Sequence, residues 1–155
     1  MTGRPKKKVA KARITSRQRE SLAPKRDGIA SVSATVKTLS DAQVRRLAED
    51  CRAAAIEKKA EAVLVLDIRK KAAFADYFVV ATGRSIIQAR AVADAVVEAS
   101  ETKFGSPVRV EGYKDGTWIL VDYGAVIVHV FTPPAREFYN LERLWGKPTA
   151  ARRQS

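Results

Sequence analysis

The chain has 155 residues, 46% hydrophobic and 30% charged, which suits one core and an appendage but not two independent cores. A single cysteine, Cys51, excludes an internal disulfide framework and a cysteine-based zinc site, and no run of about 18 apolar residues is present to span a membrane. Charge stands where a signal peptide carries its apolar region, so a soluble protein of a reducing, cytoplasmic compartment is expected, with its net charge of +12 unevenly placed.

Most of the excess charge lies at the N-terminus. Residues Met1 to Asp27 hold ten Lys and Arg against Glu20 and Asp27, whereas the other 19 basic residues face 15 acidic ones. A segment so charged and so poor in large apolar side chains cannot offset its ordering entropy, and residues 1–37 read as a basic disordered arm. Three roles stay open for it: a solubilising tail or overextended gene start, an RNA-contacting arm, or a mitochondrial presequence. In the second, Lys6, Lys7, Lys8 and Arg13 would gain affinity for phosphate through counterion release. Residues 147–155 form a short basic tail, leaving 38–146 as the folded domain.

That domain opens on "LSDAQVRRLAEDCRAAAIEKKA", where Ser40 with Gln43 three residues on has the form of a capping box. Val44, Leu47, Ala48, Cys51 and Ala55 recur at helical spacing, so Cys51 is expected to be a small core residue. "AVLVLDI", Ala62 to Ile68, and "DYFVVATG", Asp76 to Gly83, are apolar runs of strand length, joined by the basic connection "RKKAAFA". "GRSIIQARAVADAVVEAS" then restarts the helical period, with Ser85 as cap, Gln88 three residues on, and Ala89, Val92, Val96 and Ala99 on one face. A strand ending in Gly83-Arg84-Ser85 at a helix start has the form of an anion site, but a lone Gly-x-Ser is more often a strand-to-helix turn.

The C-terminal third reads as a meander. "PVRVEGY" alternates as a half-buried strand, Asp115-Gly116 is a hairpin signal, and Trp118 to Tyr123 and Val126 to Phe131 are strands around a turn at Gly124-Ala125. Pro133 and Pro134 stop the last strand and suit the start of a helix over "AREFYNLERLWG", from which Phe138, Leu141 and Leu144 or Trp145 can pack back. The order α-β-β-α-β-β-β-α predicts one α/β domain with a mixed five-stranded sheet and about three helices.

Period two places Trp118, Leu120 and Asp122 on one face of their strand and Ile119, Val121 and Tyr123 on the other. In the last strand Val126, Val128 and Val130 oppose Ile127, His129 and Phe131. Three helices of ordinary length leave part of such a sheet uncovered, and a Trp and a Leu beside an Asp and a Tyr have the composition of an interface centre. The pattern alone leaves Trp118 open between core and contact. His129 has no second His, Cys pair or Glu at ligand spacing, so no metal is expected and a satisfied sheet histidine is. No paired-carboxylate pattern appears among Asp67, Asp76 and Asp122, so no catalytic residues and no cofactor are expected.

"DYFVVATGRS", "VEGYKDGTWILVDYGAVIVHVF" and "REFYNLERLWG", in that order and spacing, closely resemble the ribosomal silencing factor family, also called Iojap-like proteins. The resemblance covers roughly residues 39–146. It implies a nucleotidyltransferase-like fold without catalytic carboxylates, and a protein that is not an enzyme. It further implies binding to the large ribosomal subunit through ribosomal protein L-fourteen and a steric block to joining of the small subunit, repressing translation when nutrients are short. Carried over position by position, the contact residues would be Trp118, Leu120 and Asp122, with Tyr123 and Val126 around the turn. This sequence departs from the family in having Ala125 where an acid is usual and Arg84 where a small residue is frequent, and both change the charge of the surface. The rival readings are a general RNA-binding or ribosome-assembly module using the arm, and an active nucleotidyltransferase. An uncovered apolar face would also permit a homodimer when the protein is free.

Overall fold

The computed structural model describes residues 38–146; the arm (1–37, with Lys6, Lys7, Lys8 and Arg13) and the tail (147–155) lie outside the described residues. Ser40 caps the first helix as anticipated: its hydroxyl accepts from the Gln43 amide at 3.1 Å, and the Gln43 side chain accepts from the Ser40 amide at 2.8 Å. Helix α1 (Asp41–Glu57) buries Val44, Leu47, Ala48, Cys51, Ala54 and Ala55. Burial of the Cys51 thiol, helped by the neighbouring Asp50 charge, pushes its pKa far up, so it packs as a small hydrophobe.

Strand β1 (Glu61–Asp67) pairs antiparallel with β2 (Tyr77–Thr82), whose six residues are all buried, the pattern of a strand covered on both faces. Helix α2 (Ile86–Phe104) follows, then β3 (Arg109–Glu111), β4 (Trp118–Asp122), β5 (Val126–Phe131), α3 (Pro133–Tyr139) and α4 (Leu141–Trp145). The sheet order is β1-β2-β5-β4-β3, with β2 and β5 parallel and every other pair antiparallel. A mixed five-stranded sheet in one α/β domain is therefore observed.

The two faces of the sheet are covered unequally. Both α1 and α2 lie on one face, over Val65, Val79, Ala81, Ile119, Val121, Val126, Val128 and Val130. Full burial of each such Val or Ile contributes on the order of 1.5–3 kcal/mol, so this is the main core. The opposite face gathers Leu66, Ile68, Phe78, Val80 and Phe131 under Leu141 and Trp145, with Trp118 at its margin. The short α3 and α4 and the β1–β2 connection, through Ala72, Phe74 and Ala75, cover it. The elements on this side also carry exposed large apolar side chains, Phe74 at 59%, Phe138 at 78% and Leu144 at 67%.

Three local expectations are revised. On α2, Ala99 is exposed and the buried position falls one residue later on Ser100, whose hydroxyl shares a hydrogen bond with the Tyr123 phenol inside the core. The Asp115-Gly116 hairpin exists, but its loop runs from 112 to 117 because β3 pairs for only three residues. The final helix is two helices: Asn140 takes a left-handed conformation (φ 41°), which an Asn tolerates, and breaks the period there. Phe138 thus points to solvent while Leu141 and Trp145 pack back.

Candidate partner-binding face

Register between β4 and β5 builds the open face. Trp118 pairs with Phe131, Leu120 with His129 and Asp122 with Ile127, so all six side chains share the side of the sheet away from α1 and α2. Trp118 is half-buried: its ring lies 5.1 Å from Phe131 and 4.4 Å from Tyr139, centroid to centroid. The pattern-level choice between core and contact therefore has a mixed answer, since part of the indole packs and part remains accessible. Leu120 is half-buried next along the strand.

Asp122 has duties inside the molecule. Its carboxylate accepts from the Gly124 amide at 2.7 Å and pairs with Arg109 Nε at 3.3 Å. The first contact shapes the β4–β5 turn at Gly124-Ala125, closed by the Tyr123 amide donating to the Val126 carbonyl, in which Gly124 supplies the positive φ (90°) that a II′-type hairpin needs at its first loop position. Tyr123 and Val126, named with the contact residues on the strength of the family resemblance, stand on the helix-covered side. Tyr123 is 7% exposed and Val126 is fully buried, so neither side chain is accessible to a partner in this conformation. The cause is the strand alternation itself, which turns the residue after Asp122 inward. Burial raises the Tyr123 phenol far above its ordinary pKa despite the bond from Ser100, so it remains protonated.

Tyr139 is the residue that sequence reasoning missed. It closes α3 and is 43% exposed, and its ring flanks Trp118. Its position depends on Arg136, which donates to Thr82 Oγ1 at 2.6 Å at the end of β2 and to both oxygens of Glu142 across the Asn140 break. Burial works against the Glu142 charge, but hydrogen bonds from Arg136 outweigh it and hold the carboxyl below its usual range. The adjacent Phe138 and Tyr139 could have signalled two aromatics on different faces, but only the break at Asn140 decides which of them meets Trp118.

His129 lies beneath this surface, 4% exposed. Its Nδ1 accepts from the Trp118 indole N–H at 3.1 Å, while Nε2 is buried with no hydrogen-bond partner. The expected satisfied histidine is thus half satisfied. Desolvation lowers its pKa from 6.5 to about 3, and the ring is neutral at physiological pH.

The Gly83-Arg84-Ser85 turn is tied up internally. Gly83 N donates to the Phe131 carbonyl, Arg84 N to the Gln88 side chain and Gln88 N to Ser85 Oγ. Gln88 also donates to the carbonyls of Lys58 and Lys59, bolting the start of α2 to the end of α1. Among the described residues no group of three or more His, Cys, Asp or Glu is arranged to hold a metal ion, and no helix is long and apolar enough to cross a membrane.

A family model described as "Ribosomal silencing factor during starvation" matches residues 41–155. The chain is 39% identical over 94 residues to the ribosomal silencing factor RsfS of Bacillus subtilis (strain 168), covering 61% of this chain and 80% of that one. To the chloroplastic protein Iojap of Zea mays it is 35% identical over 115 residues, 74% of this chain and 50% of the maize protein. A crystal structure of a protein from Chromobacterium violaceum superposes with a TM-score of 0.65 at 31% identity, covering 69% of this chain and 90% of the other.

Proposed function

The chain belongs to the ribosomal silencing factor family, and from that premise we propose that it binds the large ribosomal subunit through ribosomal protein L-fourteen and sterically blocks joining of the small subunit. A role in regulating translation at the ribosome follows from the family itself. The partner and the mode of action are our reading of the face. The observation that carries it is the half-exposed Trp118, flanked by Tyr139 and continued by Leu120, on the side of the sheet that α3 and α4 leave partly open.

Interfaces of this kind draw their binding energy from a few aromatic anchors seated at a partly preformed apolar centre, and Trp and Tyr are enriched among them. A bound domain occupies volume, so an obstruction on one subunit's joining face needs no chemical step, and we read the protein as a repressor and not an enzyme. A standard interface of about 800 Å² per partner is enough to hold it in place. In this reading Asp122 shapes the neighbouring turn, and Tyr123 and Val126 support the strand from behind. We read the place of action as the cytoplasm, as the bacterial relatives suggest.

The arm adds a second, electrostatic component: Lys6, Lys7, Lys8 and Arg13 would contact ribosomal RNA beside the protein partner. The same apolar face would mediate self-association when no ribosome is present. Co-sedimentation with separated ribosomal subunits tests the proposal. Migration with large subunits alone supports it, and migration with small subunits, or with neither, opposes it.

A further inference from the structure

We propose that His129 is a positioning residue of the contact face, holding the Trp118 indole in its docking orientation at a cost to the stability of the fold. The inference rests on the reading of the Trp118 face as the contact surface.

An indole N–H can only donate, so the Nδ1 that accepts it at 3.1 Å is the bare nitrogen, and the proton of the neutral imidazole sits on Nε2. That Nε2–H is buried without a partner. The ring is enclosed by carbon: Phe78 stands edge-on at 4.5 Å, Phe131 stacks at 6.2 Å, and 4% of the residue is exposed. A desolvated, unpaired donor lowers stability, and an aliphatic side chain between Val128 and Val130 would avoid the penalty. Stability alone therefore argues against a histidine here.

What the histidine supplies is an acceptor below the sheet's open face. The indole of a Trp has a broad, roughly two-fold preference about its outer torsion, and a half-exposed ring on an open face can present either edge. A buried acceptor two residues diagonal in the β4–β5 ladder selects the orientation that turns Nε1 inward. The accessible part of the indole is then presented in one geometry before the partner arrives, and affinity rises because less freedom is lost on docking. The signature is an opposed pair of effects: removing His129 spares or raises stability and lowers binding.

The test uses the full chain with His129→Leu, which deletes the acceptor, His129→Asn, whose side-chain oxygen can replace Nδ1, and Trp118→Ala. Thermal unfolding at neutral pH and affinity for purified bacterial large ribosomal subunits are measured for each, and the Trp118 indole N–H resonance for the unaltered protein and the two His129 variants. Expected for His129→Leu are a melting temperature no lower than that of the unaltered protein, an indole N–H shifted upfield, and binding weakened by about fivefold or more. His129→Asn should restore most of the affinity. Stability and binding falling together in His129→Leu, with His129→Asn no better, or His129→Leu failing to fold while His129→Asn folds and binds as poorly as Trp118→Ala, would assign the histidine a purely structural role and overturn the inference. If Trp118→Ala weakens binding and His129→Leu does not, the inference alone fails. If Trp118→Ala has no effect, the contact-face reading fails and takes the inference with it.

Discussion

Trp118 and Tyr139 stand with ring centroids 4.4 Å apart, although one belongs to β4 and the other ends α3. The accessible aromatic surface is therefore assembled from the sheet and from the helix that follows it, and Arg136 holds the two together through Thr82 and Glu142. Tyr139 is 43% exposed, so its truncation removes little of the core. Tyr139→Ala is expected to weaken binding to large ribosomal subunits by about 1–2 kcal/mol while moving the folding free energy by less than about 1 kcal/mol. Paired with Trp118→Ala in a double-mutant cycle, the two losses should not add, because the rings act as one unit. Full additivity would contradict a joint aromatic site.

The buried imidazole gives stability a defined pH dependence. His129 has a folded pKa of about 3 against 6.5 in the ordinary state. As pH falls below 6.5 the unfolded chain takes up a proton that the folded protein refuses, so stability is full above that value and is lost progressively toward pH 3. The slope is up to about 1.4 kcal/mol per pH unit. Urea unfolding at about pH 7.5 and about pH 5 should show the unaltered protein losing about 2 kcal/mol more than His129→Leu over that interval. Equal losses would mean that His129 is not held neutral by the fold.

Close approach of β2 to α2 makes Gly83 sensitive to any side chain. A methyl group there would meet the Ala89 backbone at 2.7 Å, and backbone cannot move aside as a side chain can. Gly83→Ala should therefore cost about 1–3 kcal/mol in denaturant unfolding. Because the Gly83 and Arg84 amides are already spent on Phe131 and Gln88, adding magnesium and ATP should not recover the loss. Recovery would revive the nucleotidyltransferase reading.

The basic arm predicts a salt signature. If Lys6, Lys7, Lys8 and Arg13 neutralise RNA phosphates, deleting residues 1–27 should lower affinity for large subunits and flatten its dependence on salt, by roughly 0.7–0.9 in log–log slope for each phosphate left unneutralised. An unchanged slope would remove RNA binding from the arm's role.

Much of this fold is readable from local chemistry, because the deciding signals lie a few residues apart. The Ser40–Gln43 box, the alternation in "WILVD" and the glycine turn before Val126 each specify their own geometry, and together they put Trp118 and Ile119 on opposite faces. The site is less readable because it depends on register and on one backbone dihedral. That Trp118 lies diagonal to His129 needs the pairing of β4 with β5, and that Tyr139 instead of Phe138 meets the indole needs the left-handed Asn140. Helical periodicity carries no sign of that break. Tyr123 and Val126 show the converse: a stretch matched as one block need not present all of its residues to one partner.

If the Trp118 face holds this domain on the large ribosomal subunit, co-sedimentation of Trp118→Ala with separated subunits must show it. The unaltered protein should travel with large subunits and not with small ones, and the variant, checked as folded by thermal unfolding, should bind more weakly by about 2 kcal/mol or more. A folded Trp118→Ala that sediments with large subunits as the unaltered protein does would strip this face of its assigned partner.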